Sequence, residues 1–367
     1  MRTLGVMWDK SFHWYETRER YIAPVAFVSG FVWDNVTLSR IDLWLDNLIL
    51  LSYLAVAAFG MVLINTRAVN RARGGVWVRL ADFAPLFLQF AFGGIFSGFF
   101  IFYSRSASIA ASWPFLAFLA VVLLGNEIFR KHYQQLAFHA SIFFVALFSY
   151  AIFALPVLLG QMGAGVFLLS GLASFVAIAF VLFVFSHTAP ARFRQARVYA
   201  WGGVALVYLA FNALYFTNLI PPLPLSLKEV GVYHSIARSG ETYVVQEEPQ
   251  KKWLFFFSRP PEVFHRLGGE AVYAYSAVFA PTDLKTKILH RWAYYDETKT
   301  EWINTDLFSF PIVGGRDGGY RGFTLKQNIT PVRWRIDVIT ERGQLLGRAE
   351  FMVEEVVEPP ELSTKIF

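Results

Sequence analysis

Residues 138–159 read FHASIFFVALFSYAIFALPVLL, twenty-two positions without one Lys, Arg, Asp or Glu. A bilayer's hydrocarbon core is about 30 Å thick and takes roughly 20 apolar helical residues to cross. The stretch meets that length and has neighbours like it. From Asp82 to Ser186 the chain carries five charged residues, Asp82, Arg105, Glu127, Arg130 and Lys131. The whole apolar block runs from Leu43 to Pro221, and spans are expected at 44–64, 82–103, 108–126, 138–159, 164–186 and 198–220. Tyr21 to Trp33 is apolar but would extend only ~20 Å as a helix. It reads as a short tilted span or as a re-entrant segment. Counting that segment, the chain holds about seven spans, or six plus a re-entrant piece.

The chain of 367 residues is 16% charged, against about 25% for a soluble domain, and its formal net charge is +6. That surplus could point to nucleic acid, but its distribution argues otherwise. Residues 43–224 hold ten basic and three acidic side chains, whereas residues 1–42 and 225–367 are nearly balanced. Nine of the ten basic residues fall in alternate connections: Arg67, Arg71, Arg73 and Arg79, then Arg130 and Lys131, then Arg192, Arg194 and Arg197. The positive-inside rule makes that side cytoplasmic. The reading is an inner-membrane protein in contact with the lipid bilayer, N-terminus in the cytoplasm, C-terminal domain outside, and no nucleic-acid partner.

Residues 1–20 form an N-terminal arm, read either as a short interfacial helix or as unstructured chain, with no apolar stretch of signal-peptide type. Beyond Trp33 come four charged residues that could matter: Asp34, Arg40, Asp42 and Asp46. Ser39 followed by Asp42 resembles a capping box, and Asp42 and Asp46 share a helix face. The group is either a capped helix start with Trp anchors or an acidic pocket gated by Arg40 at the membrane mouth. Gly94-Ile-Phe-Ser-Gly98 is a GxxxG pattern, read first as close packing within the bundle.

Pro221-Pro222-Leu223-Pro224 ends the helical domain (21–220) and opens a linker (221–229). The period then changes to two. Strands are expected at 230–238, 241–247, 252–258, 271–280, 285–295, 300–309, 320–326, 332–340 and 346–356. Many short strands at regular spacing imply an all-β, immunoglobulin-like sandwich over 230–356, followed by a tail at 357–367. The chain has no cysteine, so Trp292 and Trp334 are the candidates for the centre of that core. Lys251-Lys252-Trp253-Leu254-Phe255-Phe256-Phe257 is a buried strand or an aromatic docking edge.

His290-Arg291-Trp292, Tyr320-Arg321-Gly-Phe-Thr-Leu-Lys, Trp334-Arg335-Ile-Asp-Val-Ile-Thr-Glu-Arg-Gly343 and Phe351-Met-Val353 resemble the bacterial family called domain of unknown function 2914. That resemblance implies a Gram-negative envelope protein with a β-sandwich outside the membrane. It carries over no catalytic residue. The chain has no P-loop, no G-x-S-x-G and no H-E-x-x-H, and its seven histidines lack metal spacing. No cofactor, metal or catalytic residue is expected. The sharpest binding candidates are His290, Arg291, Arg321, Arg333 and Arg335, with Trp292, Tyr320 and Trp334 interleaved. They are either cross-strand pairs that stabilise a sheet or a site for an anionic glycan or acidic partner protein. The function that follows is a membrane-anchored binding module for a partner protein or envelope polymer. The alternative is a membrane enzyme or transporter for a lipid-linked or polymeric substrate, with its site at the outer mouth.

Overall fold

The computed structural model describes residues 31–38, 43–66, 76–106, 109–128, 136–240, 242–249, 262–316 and 318–367. Arg40, Asp42, the N-terminal arm, most of Tyr21–Trp33 and the 251–257 aromatic run lie outside them. Among the described residues seven helices come first: α1 (31–37), α2 (Trp44–Asn65), α3 (Val76–Ser106), α4 (Ile109–Ile128), α5 (Leu136–Leu159), α6 (Ala164–Thr188) and α7 (Pro190–Phe216). Five are long and apolar enough to cross a membrane: α2, α5, α6, α7 and Phe87–Ser106 of α3. α4 contributes a shorter apolar piece, Ser112–Leu123. Large apolar side chains stay on the surface of α6 and α7, where Phe180, Phe183 and Leu206 are 66%, 60% and 70% exposed. Such a surface is penalised in water and suits lipid.

α2 starts at Trp44, where the span is expected, with Leu43 as N-cap and no side-chain cap; Ser39 and Asp42 lie outside the described residues. Asp46 sits in the first turn, where a carboxylate favours the helix dipole. α7 begins at Pro190, a residue pre-set for the first helical position. Arg192, Arg194 and Arg197 therefore lie on helix and not in a loop. α7 also stops at Phe216, short of the prolines. Asn218 takes a left-handed φ of 58°, and Leu219 N–H and Asn218 N–H donate to the carbonyls of Leu214 and Tyr215 in a Schellman cap.

The chain divides into two compact units. The first comprises Met1–Phe102, Ala117–Tyr150 and Ser174–Val207. In it the two glycines of the GxxxG pattern bring α3 against α2 and the end of α1. A Cβ at Gly94 would meet the Tyr53 ring at 2.6 Å, and one at Gly98 would meet Leu50 at 2.9 Å and Leu38 at 3.2 Å. The pattern serves packing within the bundle.

The second unit comprises Tyr103–Leu116, Ala151–Ala173 and Tyr208–Phe367. Its β region has eleven strands: β1 (Ser226–Tyr233), β2 (Ser235–Ser239), β3 (Thr242–Glu247), β4 (Glu262–Leu267), β5 (Val272–Phe279), β6 (Lys285–Asp296), β7 (Glu301–Val313), β8 (Tyr320–Lys326), β9 (Arg333–Thr340), β10 (Leu345–Val356) and β11 (Ser363–Ile366). They form sheets of order β1-β5-β8, β4-β10-β9-β6-β7 and β11-β3-β2. All pairs are antiparallel except β4 with β10. The first two sheets share a core. Val232, Val272 and Ala274 from one meet Phe264, Trp292, Trp334, Ile336 and Phe351 from the other. Trp292 and Trp334 are 0% and 2% exposed, at the centre the alternation assigned to them.

Strand formation begins at Ser226, inside the expected linker, because Leu227 and Val230 already pack on the core. The expected tail is also structured at its end. β11 pairs with β3, and the Phe367 ring stacks on Tyr275 at 4.7 Å and 11°. Main-chain hydrogen bonds between Phe367 and Tyr243 and partial burial of the Phe367 ring hold this end of the chain to the sheet.

Candidate binding sites

The five-stranded sheet puts alternate side chains of β9 on opposite faces. Trp334, Ile336 and Val338 enter the core, so Arg333, Arg335 and Asp337 face outward. Register then places Arg291 of β6 and Arg348 of β10 directly beside Asp337, one on each side. Three guanidiniums close over that one carboxylate. Arg291 Nη2 donates to Asp337 Oδ2 at 2.6 Å and Arg348 Nε to Oδ1 at 2.5 Å, while Arg335 Nε lies 3.7 Å from Oδ2. Asp337 is 0% exposed although its face of the sheet points away from the core. Burial presses its carboxyl upward, but hydrogen bonds from Arg348 and Arg291 outweigh that and hold it below the usual carboxylate range.

The cluster extends along the same face. Arg333 Nη2 donates to Glu350 Oε2 at 2.6 Å, and Arg348 Nη1 lies 3.6 Å from Glu350 Oε1. The Trp302 ring of β7 supports two of the cations, with Arg335 4.5 Å and Arg333 5.5 Å from its centroid. Tyr295 meets Trp302 edge-on at 5.3 Å. Four guanidiniums thus share two carboxylates, and Arg291, Arg333 and Arg348 keep 31%, 41% and 32% of their side chains exposed.

The other candidates go elsewhere. His290 is a core residue, 0% exposed. Its Nε2 lies 2.8 Å from Ser276 Oγ and its Nδ1 3.0 Å from Thr324 Oγ1, which also accepts from Trp292 Nε1 at 3.1 Å. Burial pushes the imidazole down to about 4, so the ring is neutral and structural at neutral pH. Arg321 sits on β8, in the other sheet, and donates to the main-chain oxygen of Phe367 at 3.0 Å. It is not part of the arginine cluster. In the helical unit, Asp34 is 8% exposed beside Ser97 and Tyr53, and Asp46 is 3% exposed.

Two groupings were not visible in the sequence. The first joins His234, Glu248, His265 and Glu270. His234 presents Nδ1 to Glu270 at 2.9 Å and Nε2 to Glu248 at 3.1 Å, and stacks on Phe264 at 4.1 Å. His265 Nδ1 meets the other Glu248 oxygen at 2.6 Å. Burial raises the Glu248 carboxyl, and the hydrogen bonds from His265 and His234 more than reverse this, holding it low. Among the described residues no set of three or more such side chains is arranged to hold a metal ion.

The second is a cavity of about 80 Å³ in the second unit. The outer residues of α5 and α6, the Tyr215–Leu223 stretch and the β9–β10 turn build it. Arg342, at the tip of that turn, lies 3.8 Å over the Tyr215 ring, which stacks on Phe167 at 3.7 Å and 1°. Asn218 Nδ2 donates to the Arg342 carbonyl at 3.2 Å, and Gln344 Nε2 to that of Ile220 at 3.1 Å. Nothing in the local sequence marks this site, because its walls come from separate stretches at 152–167, 215–223, 286 and 340–344.

Residues 285–353 match the model of the family described as "Protein of unknown function (DUF2914)". The matched region holds β6, β7, β8, β9 and most of β10, and so every member of the arginine cluster. No curated protein matches the chain. Among solved structures, the Pseudomonas fluorescens alkylpurine DNA glycosylase AlkC bound to DNA containing an abasic site analog aligns over 86% of this chain and 100% of that one. The identity is 12% and the TM-score 0.21. A score that low shows no common fold, and nothing is carried over from it.

Proposed function

We propose that the chain is a polytopic inner-membrane protein of a Gram-negative envelope, and that its β region is a periplasmic binding module and not an enzyme. In this reading the two facing sheets form an immunoglobulin-like sandwich. The helices anchor and orient it with the N-terminus in the cytoplasm. The ligand is acidic, either an anionic envelope polymer or an acidic segment of a partner protein.

One observation carries the reading. The outer face of the five-stranded sheet collects Arg291, Arg333, Arg335 and Arg348 around two carboxylates and supports them on Trp302. Four guanidiniums against two carboxylates leave this face with a net positive charge that an acidic ligand would complement. The surplus is partly exposed, with donors in the fork geometry that fits carboxylates and phosphates.

The test uses the full chain in neutral detergent on immobilised polygalacturonate, with dextran as the uncharged control. Wild type should be retained on the acidic polymer and released by salt. Arg333→Gln, which leaves the Asp337 contacts in place, should elute at lower salt. Equal elution of the two proteins, or retention on dextran, would remove the arginine face as the binding surface.

A second reading has some support. Buried carboxylates in apolar helices are costly and usually functional, and Asp34 and Asp46 are such groups. A membrane enzyme or transporter acting on a lipid-linked substrate would use them. Asp46→Asn separates the two readings. Normal folding with loss of cellular function would count against a simple anchor.

A further inference from the structure

The cavity beside Arg342 is separate from the arginine face and has a different chemistry. Its walls are apolar, with Ile152, Met162, Phe167, Pro222 and Leu223 among them. Its polar side chains are mostly committed. Thr340 Oγ1 accepts from the Gln344 main-chain N–H at 3.3 Å, Gln344 Nε2 donates to the Ile220 carbonyl at 3.1 Å, and the carboxylate of Glu341 is held by Lys287 Nζ at 3.0 Å. Arg342 is the exception. Its guanidinium carbon lies 3.8 Å from the Tyr215 ring centroid, Nη2 reaches the Tyr215 carbonyl at 3.5 Å, and Nη1 is buried with no hydrogen-bond partner among the described residues. A buried charged donor without an acceptor is unfavourable, and an anionic oxygen is what it lacks.

Location and size narrow the ligand. The walls come from the ends of α5, α6 and α7, three helices long enough to cross a membrane. Helix ends of that kind lie where hydrocarbon gives way to headgroups. A water needs about 10–15 Å³ of such volume, so about 80 Å³ admits a group the size of a phosphate but not a whole lipid. A neutral sugar would leave the guanidinium unpaired and its own hydroxyls facing apolar walls.

We infer that this cavity binds the phosphate of an anionic amphiphile, with Arg342 as the phosphate-holding residue and the hydrocarbon left along the apolar helix ends. The inference depends on the membrane reading only for the source of the ligand.

The experiment takes the delipidated full chain in neutral detergent and measures binding by native mass spectrometry and thermal shift. Three probes separate the sources: phosphatidylglycerol, diacylglycerol with the same chains, and inorganic phosphate. Phosphatidylglycerol should bind and raise the melting temperature, and diacylglycerol should not. Arg342→Gln should weaken phosphatidylglycerol binding about tenfold, the size of one charge-assisted hydrogen bond. Met162→Trp, which fills the cavity and keeps the Arg342 stack, should weaken it as well. Arg333→Gln, on the other face, should leave it unchanged, so failure here is distinguishable from failure of the polymer-binding face. Inorganic phosphate binding as well as the lipid, with the same dependence on Arg342, would overturn the amphiphile and leave a free-anion site. Undiminished lipid binding by both Arg342→Gln and Met162→Trp, or equal binding of diacylglycerol, would overturn the site itself.

Discussion

Asp337 is the residue on which the outer face of the large sheet depends. Its two cross-strand neighbours are arginines, and no water reaches it. Removing one partner from a buried ion cluster leaves the others uncompensated and costs about 3–5 kcal/mol. Asp337→Asn should therefore lower hydrogen-exchange protection across β6, β9 and β10, while Arg333→Gln should change it little. The pH dependence has a definite sign. Asp337 and Glu248 are held low in the fold, so their stabilisation is present above the unfolded carboxylate values near ~4 and is lost as pH falls through the folded ones. His290 acts in the same direction over a higher window. With its folded value near 4 against 6.5 unfolded, the unfolded chain takes up the proton first. The β region should lose about 3 kcal/mol between pH 6.5 and pH 4 from this group alone. His290→Gln should flatten that part of a pH–stability curve followed by hydrogen exchange. An unchanged slope would place the acid sensitivity elsewhere.

Elements were more legible than the contacts between them. β5, β6, β8, β9 and β10 follow from alternation with nearly the bounds expected, because each buries one face against a shared core. β4 was not foreseen. Its sequence, Glu262-Val-Phe-His-Arg-Leu267, alternates for only six residues, and it pairs parallel with β10 through a long connection. β11 is four residues long and owes its place to Phe367. The arginine face was half legible. Arg291, Arg333 and Arg335 could be put on one side of their strands, but Arg321 joins them only if β8 neighbours β6, and β8 pairs with β5 instead. The His234–Glu248–His265 group and the Arg342 cavity were not legible at all, since sheet order brings their members together. The latch role of β11 makes a prediction at this scale. Phe367→Ala removes a ring that stacks on Tyr275 and meets Tyr233 at 6.1 Å. The expected loss is about 1 kcal/mol, below the value for a fully buried ring because Phe367 is only partly buried. Faster exchange should be confined to β3 and β11, with β9 unaffected.

At the scale of the whole chain the decisive question is which side of the membrane each helix end faces. α6 and α7 are 25 and 27 residues long, ~37 and ~40 Å at 1.5 Å per residue, and either can cross about 30 Å of hydrocarbon. Ala189 alone separates them, so if both span, residues 160–163 and residues 190–197 lie on opposite sides. In the proposed orientation Arg194 and Arg197 are long side chains able to reach the cytoplasmic headgroups, Arg192 donates to the Ile64 carbonyl at 3.3 Å, and the Gly160–Gly163 connection carries no charge. The chain has no cysteine of its own, which makes single-cysteine labelling clean. Gln161→Cys and Gln195→Cys both place the thiol at exposed positions. With a membrane-impermeant maleimide on intact cells whose outer membrane is permeable, Gln161→Cys should label and Gln195→Cys should label only after lysis. The reverse pattern would put the β region in the cytoplasm, where an envelope polymer could not reach the arginine face. Labelling of both before lysis would mean that α6 does not span, and the lipid-facing reading of Phe180 and Phe183 would fall with it.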